Sequence, residues 1–249
     1  MRAIRLTLFL LILLPSGICP PGAVPAQEKK ALQGGKAPPE GKPDADLDGA
    51  RFGYRFENAR FYIPLIEVDV ASNGSGELRF KRGESDEVID RKLKLLPATV
   101  ARMRELYERT RFLTSDDDYQ DKKDFSHLGW KSLYMRQGGR ERKVRFNYTP
   151  NLEIRELTEI FLAVATQEMH LFDIETSQQY QPLDLPRLLD ALENDLKAQR
   201  VAEPEQMLPA LKEIAGNDTQ PLIARNHATR IADGIKKGKF KSPIRSSGR

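Results

Sequence analysis

The sequence has 249 residues, of which 39% are hydrophobic and 31% are charged. This length suits one domain of average size or two small ones, and the composition is that of a soluble protein with a large polar surface rather than a membrane protein. The formal net charge is only +4, which is a weak indication of an anionic partner.

The first 26 residues have the features of a secretory signal peptide. Arg2 and Arg5 form a positive start, residues 6–14 form an apolar run too short to span a bilayer, and residues 24–26 (VPA) resemble a cleavage site. We therefore expect residues 1–26 to be removed and the protein to be secreted or periplasmic. The leader holds two of the 40 basic residues and no acidic residue, so the mature net charge falls close to zero.

Cys19 is the only cysteine in the chain and offers an alternative to cleavage. A lipid attached there would anchor the protein, but Ser16 and Ile18 stand where the lipoprotein signal has Leu and a small residue. Removal with the leader is the favoured interpretation, and we expect a membrane contact only if Cys19 is lipidated. The mature chain then has no cysteine, so it must be stable without a disulfide.

Residues 27–50 are rich in Pro, Gly and charge and have scarcely any aliphatic side chains. Such a segment cannot bury enough apolar surface to offset the entropy lost on ordering. We predict that it is a disordered linker.

Ordered structure is predicted to begin near Phe52, and its first predicted element is a β-hairpin around Asn73-Gly74-Ser75. Two alternating runs flank this tripeptide, and pairing Val68 with Phe80 puts the apolar residues of both runs on one face. This register makes residues 73–75 a three-residue loop. A two-residue Asn-Gly turn is rejected because it would pair residues of opposite polarity.

Further elements follow up to residue 172. A strand is predicted at 88–95 and a helix at 97–109, with Val100, Met103, Leu106 and Tyr107 on its buried face. After a polar loop, two alternating runs flank Gly138-Gly139, which is typical of a two-residue hairpin turn. Pro150 opens another helix, whose predicted buried residues are Leu157, Ile160, Phe161 and Val164.

The C-terminal part is predicted to be helical from 183 to 236. Asp184 is a candidate cap for a helix with a leucine face, a second helix covers 207–215, and a third covers 221–235. The pair over 207–235 resembles a helical hairpin of the HEAT type, of which the chain shows one copy. Residues 237–249 are predicted to be a basic flexible tail.

These elements predict an α+β protein. An antiparallel sheet made from two hairpins packs with two helices in a domain at 51–172, and a small all-helical segment follows. This order, together with Leu106, Phe112 and Tyr119, resembles an uncharacterised family of secreted bacterial domains of unknown function over about residues 55–170. The resemblance implies no activity.

The polar loop contains the residues that come nearest to a metal or catalytic motif. Asp116, Asp117 and Asp118 could suit a hard cation, but an EF-hand loop counted from Asp116 lacks the required Gly and Glu. Ser126 and His127 are of the types used in hydrolysis, but they lack a nucleophile motif. We therefore expect a solvated loop, no metal, no cofactor and no catalytic residue here.

Two other groups of polar residues also have an ordinary structural explanation. His170 and His227 lie on predicted helices without a ligand at metal-binding spacing, so they are expected to be ordinary residues of a helix surface. Glu67 and Asp69 form a possible acid pair. The predicted register sets Lys81 and Arg79 opposite them, which favours cross-strand ion pairs.

The second hairpin is the best candidate for a binding surface. If Leu133, Met135, Val144 and Phe146 face the core, the opposite face holds the four candidate binding residues, which are Tyr134, Arg136, Lys143 and Arg145. An aromatic and several basic groups together could hold a polyanion. The competing interpretation is a solvated sheet face in which Glu141 pairs with Arg136.

The sequence thus predicts a secreted or periplasmic, non-catalytic interaction module with a protein partner in the cell envelope. Nucleic acid is not expected, because the protein is exported and lacks an RNA-binding aromatic motif. The alternatives are a polyanion-binding protein that uses the second hairpin and the basic tail, or an unrecognised hydrolase.

Overall fold

The computed structural model describes residues 49–83 and 85–244. The signal peptide, Cys19 and nearly all of the linker lie outside the described residues, as does the end of the tail. The fold is an antiparallel six-stranded sheet combined with five helices, which confirms the predicted α+β class. The strands are β1 Arg51–Glu57, β2 Leu65–Ala71, β3 Ser75–Lys81, β4 Ile89–Lys94, β5 Trp130–Gln137 and β6 Arg140–Phe146, and the helices are α1 Pro97–Arg109, α2 Leu152–Tyr180, α3 Leu185–Lys197, α4 Leu208–Gly216 and α5 Leu222–Lys236.

Strand β1 joins the two hairpins into one sheet, whose order is β4-β3-β2-β1-β5-β6. It pairs antiparallel with β2 on one side and with β5 on the other. Phe52, Tyr54 and Phe56 are buried on one face, whereas Arg51 and Arg55 lie on the opposite face. This strand is absent from the sequence-based prediction, although its apolar and polar residues alternate. No short turn in the sequence indicates that it pairs with β5.

The first hairpin has a register that differs by two residues from the prediction. Val68 pairs with Leu78, not with Phe80, and the three-residue loop is 72–74. The reason is Gly74, whose φ of +83° is left-handed. A three-residue hairpin loop requires such a residue in its last position, and the predicted loop would have put Gly74 in the middle. The predicted buried face is unaffected, since a shift of two residues preserves the alternation.

Helices α1 and α2 cover one face of the sheet. The rings of Phe52 and Tyr107 stack with centroids 5.4 Å apart, and those of Tyr54 and Phe161 with centroids 5.6 Å apart. The residues predicted to be buried on these two helices are indeed buried. Asn151 caps α2, because its side chain accepts a hydrogen bond from the Ile154 N–H at 2.9 Å.

The helical end, which consists of α3, α4 and α5, is joined to the rest of the molecule by α2. This helix has 29 residues and runs past residue 172 to Tyr180. Its last turns contribute Ile174 to a second apolar cluster, which is formed mainly by Leu185, Leu189, Leu192, Leu196, Leu211, Ile214, Ile231 and Ile235. Asp184 precedes α3, but its side chain makes no capping hydrogen bond.

A second connection runs through Glu203, which lies between α3 and α4 and is only 2% exposed. Its carboxylate accepts hydrogen bonds from the Leu96 N–H at 2.8 Å and from the Thr99 hydroxyl, at the start of α1. Leu96, the N-cap residue of α1, has no side-chain acceptor of its own. Glu203 therefore supplies the anionic cap that α1 lacks.

The tail, predicted to be flexible, packs against the protein as far as Ile244. Phe240 packs on the second apolar cluster, the Ser242 hydroxyl donates to the Ala202 carbonyl at 2.5 Å, and Ile244 packs on the sheet core. Pro243 lies beside the exposed side of α2. This part of the tail therefore lies on the helix side of the sheet and not beside the second hairpin.

Candidate functional site

The predicted binding residues lie on the outer face of the sheet, opposite α1 and α2. Leu133, Met135, Val144 and Phe146 are buried, which confirms the predicted orientation of the second hairpin. The turn glycines Gly138 and Gly139 have φ values of +57° and +77°, as a two-residue hairpin turn requires. The structure thus brings Tyr134, Arg136, Lys143 and Arg145 onto one surface.

Tyr134 lies flat across β1 and is held there by its hydroxyl. It faces Gly53, where any Cβ atom would overlap the tyrosine ring. The hydroxyl donates a hydrogen bond to Asp69 on β2, and Arg51 Nε donates to the same carboxylate at 2.9 Å. Partial burial and the bond to Asp69 raise the pKa of Tyr134 well above its usual range. Tyr134 is therefore a neutral, fixed part of this surface.

The three cations of the hairpin differ from Tyr134 because their side chains bond to no carboxylate in the part of the chain that the structure describes. Arg136, Lys143 and Arg145 are exposed, and none forms an ion pair with another described residue. Arg136 stands opposite Glu141 in the β5–β6 ladder, but the expected ion pair between them is absent. The guanidinium of Arg145 lies 4.5 Å from the ring centroid of Trp130, which orients its charge.

The centre of the outer face carries paired charges. Arg55 bonds to Glu67 and, at 2.6 Å, to Glu57, whereas Arg79 bonds to Glu67 at 3.2 Å and to Asp90 at 3.1 Å. The pKa of Glu57 is lowered, chiefly by the hydrogen bond from Arg55 and further by Arg145 and Lys143. The electrostatic effect of Lys143 and Arg145 therefore extends to Glu57 on β1.

The possible acid pair on β2 consists of ion-paired residues, but the partners differ from those predicted. Glu67 stands opposite Arg79 and bonds to it, instead of standing opposite Lys81. Asp69 stands opposite Glu77 and takes Arg51 of β1 as its partner. The two-residue change of register explains the first difference, and the unpredicted strand β1 explains the second.

Two grooves adjoin on this face and share Arg55. One, of about 320 Å³, includes Glu67, Arg79, Ser132, Tyr134 and Lys143 in its lining. The other, of about 500 Å³, lies at the end of the sheet next to Trp130, Arg145 and Lys81. Sequence reasoning missed Arg55 and Arg79 as members of the site, although the alternation in RFGYRFE could have placed Arg55 on this face.

The polar loop does not assemble a catalytic group. The Ser126 hydroxyl bonds to Asp124 at 3.2 Å, and the same aspartate accepts from the Ser126 N–H at 2.8 Å. His127 is exposed, and its ring has no hydrogen bond to either residue. Asp117, Asp118 and Asp121 likewise accept hydrogen bonds from groups of the same loop. Their carboxylates stabilise the loop conformation.

Both helical histidines contact acidic side chains of another helix, whereas the prediction was that they are ordinary residues of a helix surface. His170 lies 2.7 Å from Asp195, and Nε2 of His227 lies 2.8 Å from Glu193. Sequence spacing along α2 or α5 could not show this, because both acids are on α3. Tertiary packing alone brings each acid against its histidine.

The group of His227, Asp190 and Glu193 has the residue types of a metal site but the geometry of an ion-pair network. The two carboxylates face different ring nitrogens, with Asp190 3.5 Å from Nδ1. Lys197 and Arg230 also contact Glu193, at 2.8 and 3.0 Å. These contacts lower the pKa of Glu193 to about 2, Lys197 having the largest effect. The network joins α3 to α5, and a metal would have to displace two cations.

No protein-family model matches the chain, and no curated protein matches it. In the described part of the chain, no helix has both the length and the apolar character needed to cross a bilayer.

Proposed function

We propose that the protein is an exported, non-catalytic interaction module that binds an acidic partner on the outer face of its sheet. The observation that supports this most directly is the group of three unpaired cations, Arg136, Lys143 and Arg145, on one accessible face. Residues 130–146 contain six basic residues and one acidic residue. Such a local excess attracts anionic surfaces although the whole chain is nearly neutral.

The structure of the sheet also suits this role. Both helices that cover the sheet pack on its inner face, so a partner can approach the outer face without any rearrangement of the fold. Tyr134 and Arg145 are already held in place by Asp69 and Trp130. Binding therefore orders fewer side chains than it would on a flexible surface.

The decisive experiment measures binding of the mature protein to an immobilised polyanion at increasing salt. We expect binding that weakens steeply with ionic strength, because exposed charges are screened within about 10 Å at 0.1 M salt. Changing Arg136, Lys143 and Arg145 to Glu should abolish it. The matched control changes three exposed cations on the helices, Arg155, Arg187 and Lys212, to Glu and should retain it. Equal loss in both variants would refute a localised site.

The compartment and the partner need a separate measurement. Crosslinking of the tagged protein in its host, followed by mass spectrometry, identifies what is captured and the N-terminus together. We expect a chain that starts at Gln27 and one dominant partner from the cell envelope. A lipid on Cys19 would instead place the protein at a membrane surface.

A further inference from the structure

One row of side chains crosses the outer face at right angles to the strands. The register pairs Arg145 with Ser132, Ser132 with Arg55, Arg55 with Glu67, and Glu67 with Arg79. An arginine thus occurs on every second strand. Because neighbouring strands are about 4.8 Å apart, the backbones of successive arginines are separated by about 10 Å and the whole row spans roughly 20 Å.

The arginine row, which consists of Arg145, Arg55 and Arg79, lies between the two grooves on the outer face. The larger groove includes Arg145 and Arg55 in its lining, and the smaller one includes Arg55 and Arg79. Ser132 and Glu67 line the smaller groove between the arginines. The arginines therefore line the border of both grooves, and Ser132 and Glu67 lie between them in the row.

The lining combines hydrogen-bond donors, acceptors and aromatic rings. Glu57, Glu67 and Asp69 can accept hydrogen bonds from hydroxyl groups, and the arginines can donate. Trp130 and Tyr134 contribute flat rings to the two grooves. A surface that offers both hydrogen-bond donors and acceptors is complementary to a chain that carries many hydroxyl groups and widely spaced negative charges. It is less complementary to a densely charged chain.

We infer that the acidic partner is a linear polysaccharide with one charged group in each disaccharide unit, lying along the arginine row. This inference rests on the proposed function and specifies its ligand. In such a polymer successive charges are two sugar rings apart, which is close to the spacing of the arginines. An extended peptide repeats its same-face side chains every 7 Å or so, and each strand of double-stranded DNA repeats its phosphates about every 3.4 Å along the helix axis.

The three arginines contribute differently to binding. Arg145 has no ion-pair partner among the described residues, so its charge is more open to the ligand than the charges of Arg55 and Arg79. Arg55 and Arg79 already bond to Glu67, and their side chains remain 37% and 50% exposed. A guanidinium has five N–H donors, so these two can bind an acidic sugar without releasing their partners. Arg145 provides the strongest contact and Arg79 extends the site.

The test uses Trp130, the only tryptophan of the chain, as a fluorescent reporter within the groove. The probes are oligosaccharides of two to eight rings with one uronic acid in each disaccharide unit, neutral oligosaccharides of the same lengths, and polyglutamate, all at constant ionic strength. We expect the acidic sugars to change the Trp130 emission. Affinity should rise with length until the oligomer spans the roughly 20 Å of the row, and then level off. Neutral sugars and polyglutamate should bind at least about tenfold more weakly.

Three variants separate specific from general charge effects. Arg145→Gln should weaken every oligosaccharide about tenfold, as expected for loss of a charge-assisted hydrogen bond. Arg79→Gln should weaken only the longer ones, and its retained disaccharide affinity shows that the sheet is intact. Arg140→Gln removes a cation beside the hairpin turn, outside both grooves, and should change nothing.

The outcomes distinguish this inference from the function on which it rests. If affinity is independent of length, if polyglutamate binds as well as the sugars, or if Arg140→Gln acts like Arg145→Gln, the polysaccharide is refuted. Binding to the immobilised polyanion could then still depend on Arg136, Lys143 and Arg145, and the acidic partner would be a protein. Loss of polyanion binding altogether would refute both proposals.

Discussion

Glu203 offers a direct test of how the helical end stabilises the sheet domain. Its buried carboxylate accepts hydrogen bonds from the Leu96 N–H, the Thr99 hydroxyl and the Gln206 amide. Glu203→Ala removes the acceptor of all three hydrogen bonds and leaves their donors without this partner, at about 1–3 kcal/mol for each group that water cannot reach. Because the Thr99 hydroxyl can rotate and Gln206 is partly exposed, we expect a total loss of about 2–4 kcal/mol in the free energy of unfolding.

The substitution Glu203→Gln separates the charge from the hydrogen bonds. Burial raises the pKa of Glu203 above its ordinary value of 4.5, and the bonds from Thr99 and Leu96 offset this only in part. Such a group binds its proton more tightly in the folded state, so it favours folding at low pH. That contribution declines as the pH rises from the ordinary pKa to the folded-state pKa. The stability of Glu203→Gln relative to the natural protein should therefore increase across this window and remain constant above it.

Urea unfolding from about pH 3 to pH 7, followed by circular dichroism, measures both effects. Glu205→Gln is the matched control, because Glu205 is an exposed neighbour of Glu203. We expect the change with pH to be larger for Glu203→Gln than for this control. A stability difference for Glu203→Gln that does not change with pH would refute the argument from burial, and a loss below about 0.5 kcal/mol for Glu203→Ala would refute the capping role.

Three further predictions concern the sheet face, a helix cap and the helical end. Gly53→Ala should displace Tyr134 and cost about 1–3 kcal/mol in the free energy of unfolding, with changed tyrosine absorbance as the readout. Asn151→Ala should cost about 1 kcal/mol in urea unfolding because α2 loses its N-cap, whereas Asn151→Asp should restore the cap. The pKa of Glu193 is lowered to about 2, so its ion pairs favour folding above its ordinary pKa, and this contribution is lost as the pH falls towards 2. Glu193→Gln should therefore flatten the acid side of the stability profile, and an unchanged acid limb would contradict the network joining α3 to α5.

Several elements could be predicted because their signals lie within a few residues of one another. Pro97 starts α1 where the sequence indicates, and the periodic apolar residues identify its buried face. Gly138 and Gly139 form the turn of the second hairpin, and the alternation around them shows that Tyr134 and Arg145 share a face. These features depend on backbone preferences and on side-chain periodicity, which are local properties of the chain.

The features that depend on pairing between distant residues could not be predicted from the sequence and are seen only in the tertiary structure. Strand β1 lies between the two hairpins and pairs with β5, which is about 80 residues further along the chain. Its insertion aligns Arg55 with Arg145 and brings Arg51 to Asp69. Glu203 caps α1 from the other end of the chain. Strand order and helix packing determine these neighbours by burying one face of each element, and the polar contacts then form between whatever residues the packing brings together. The cationic hairpin could therefore be predicted from the sequence, but the arginine row and the two grooves beside it exist only in the assembled sheet.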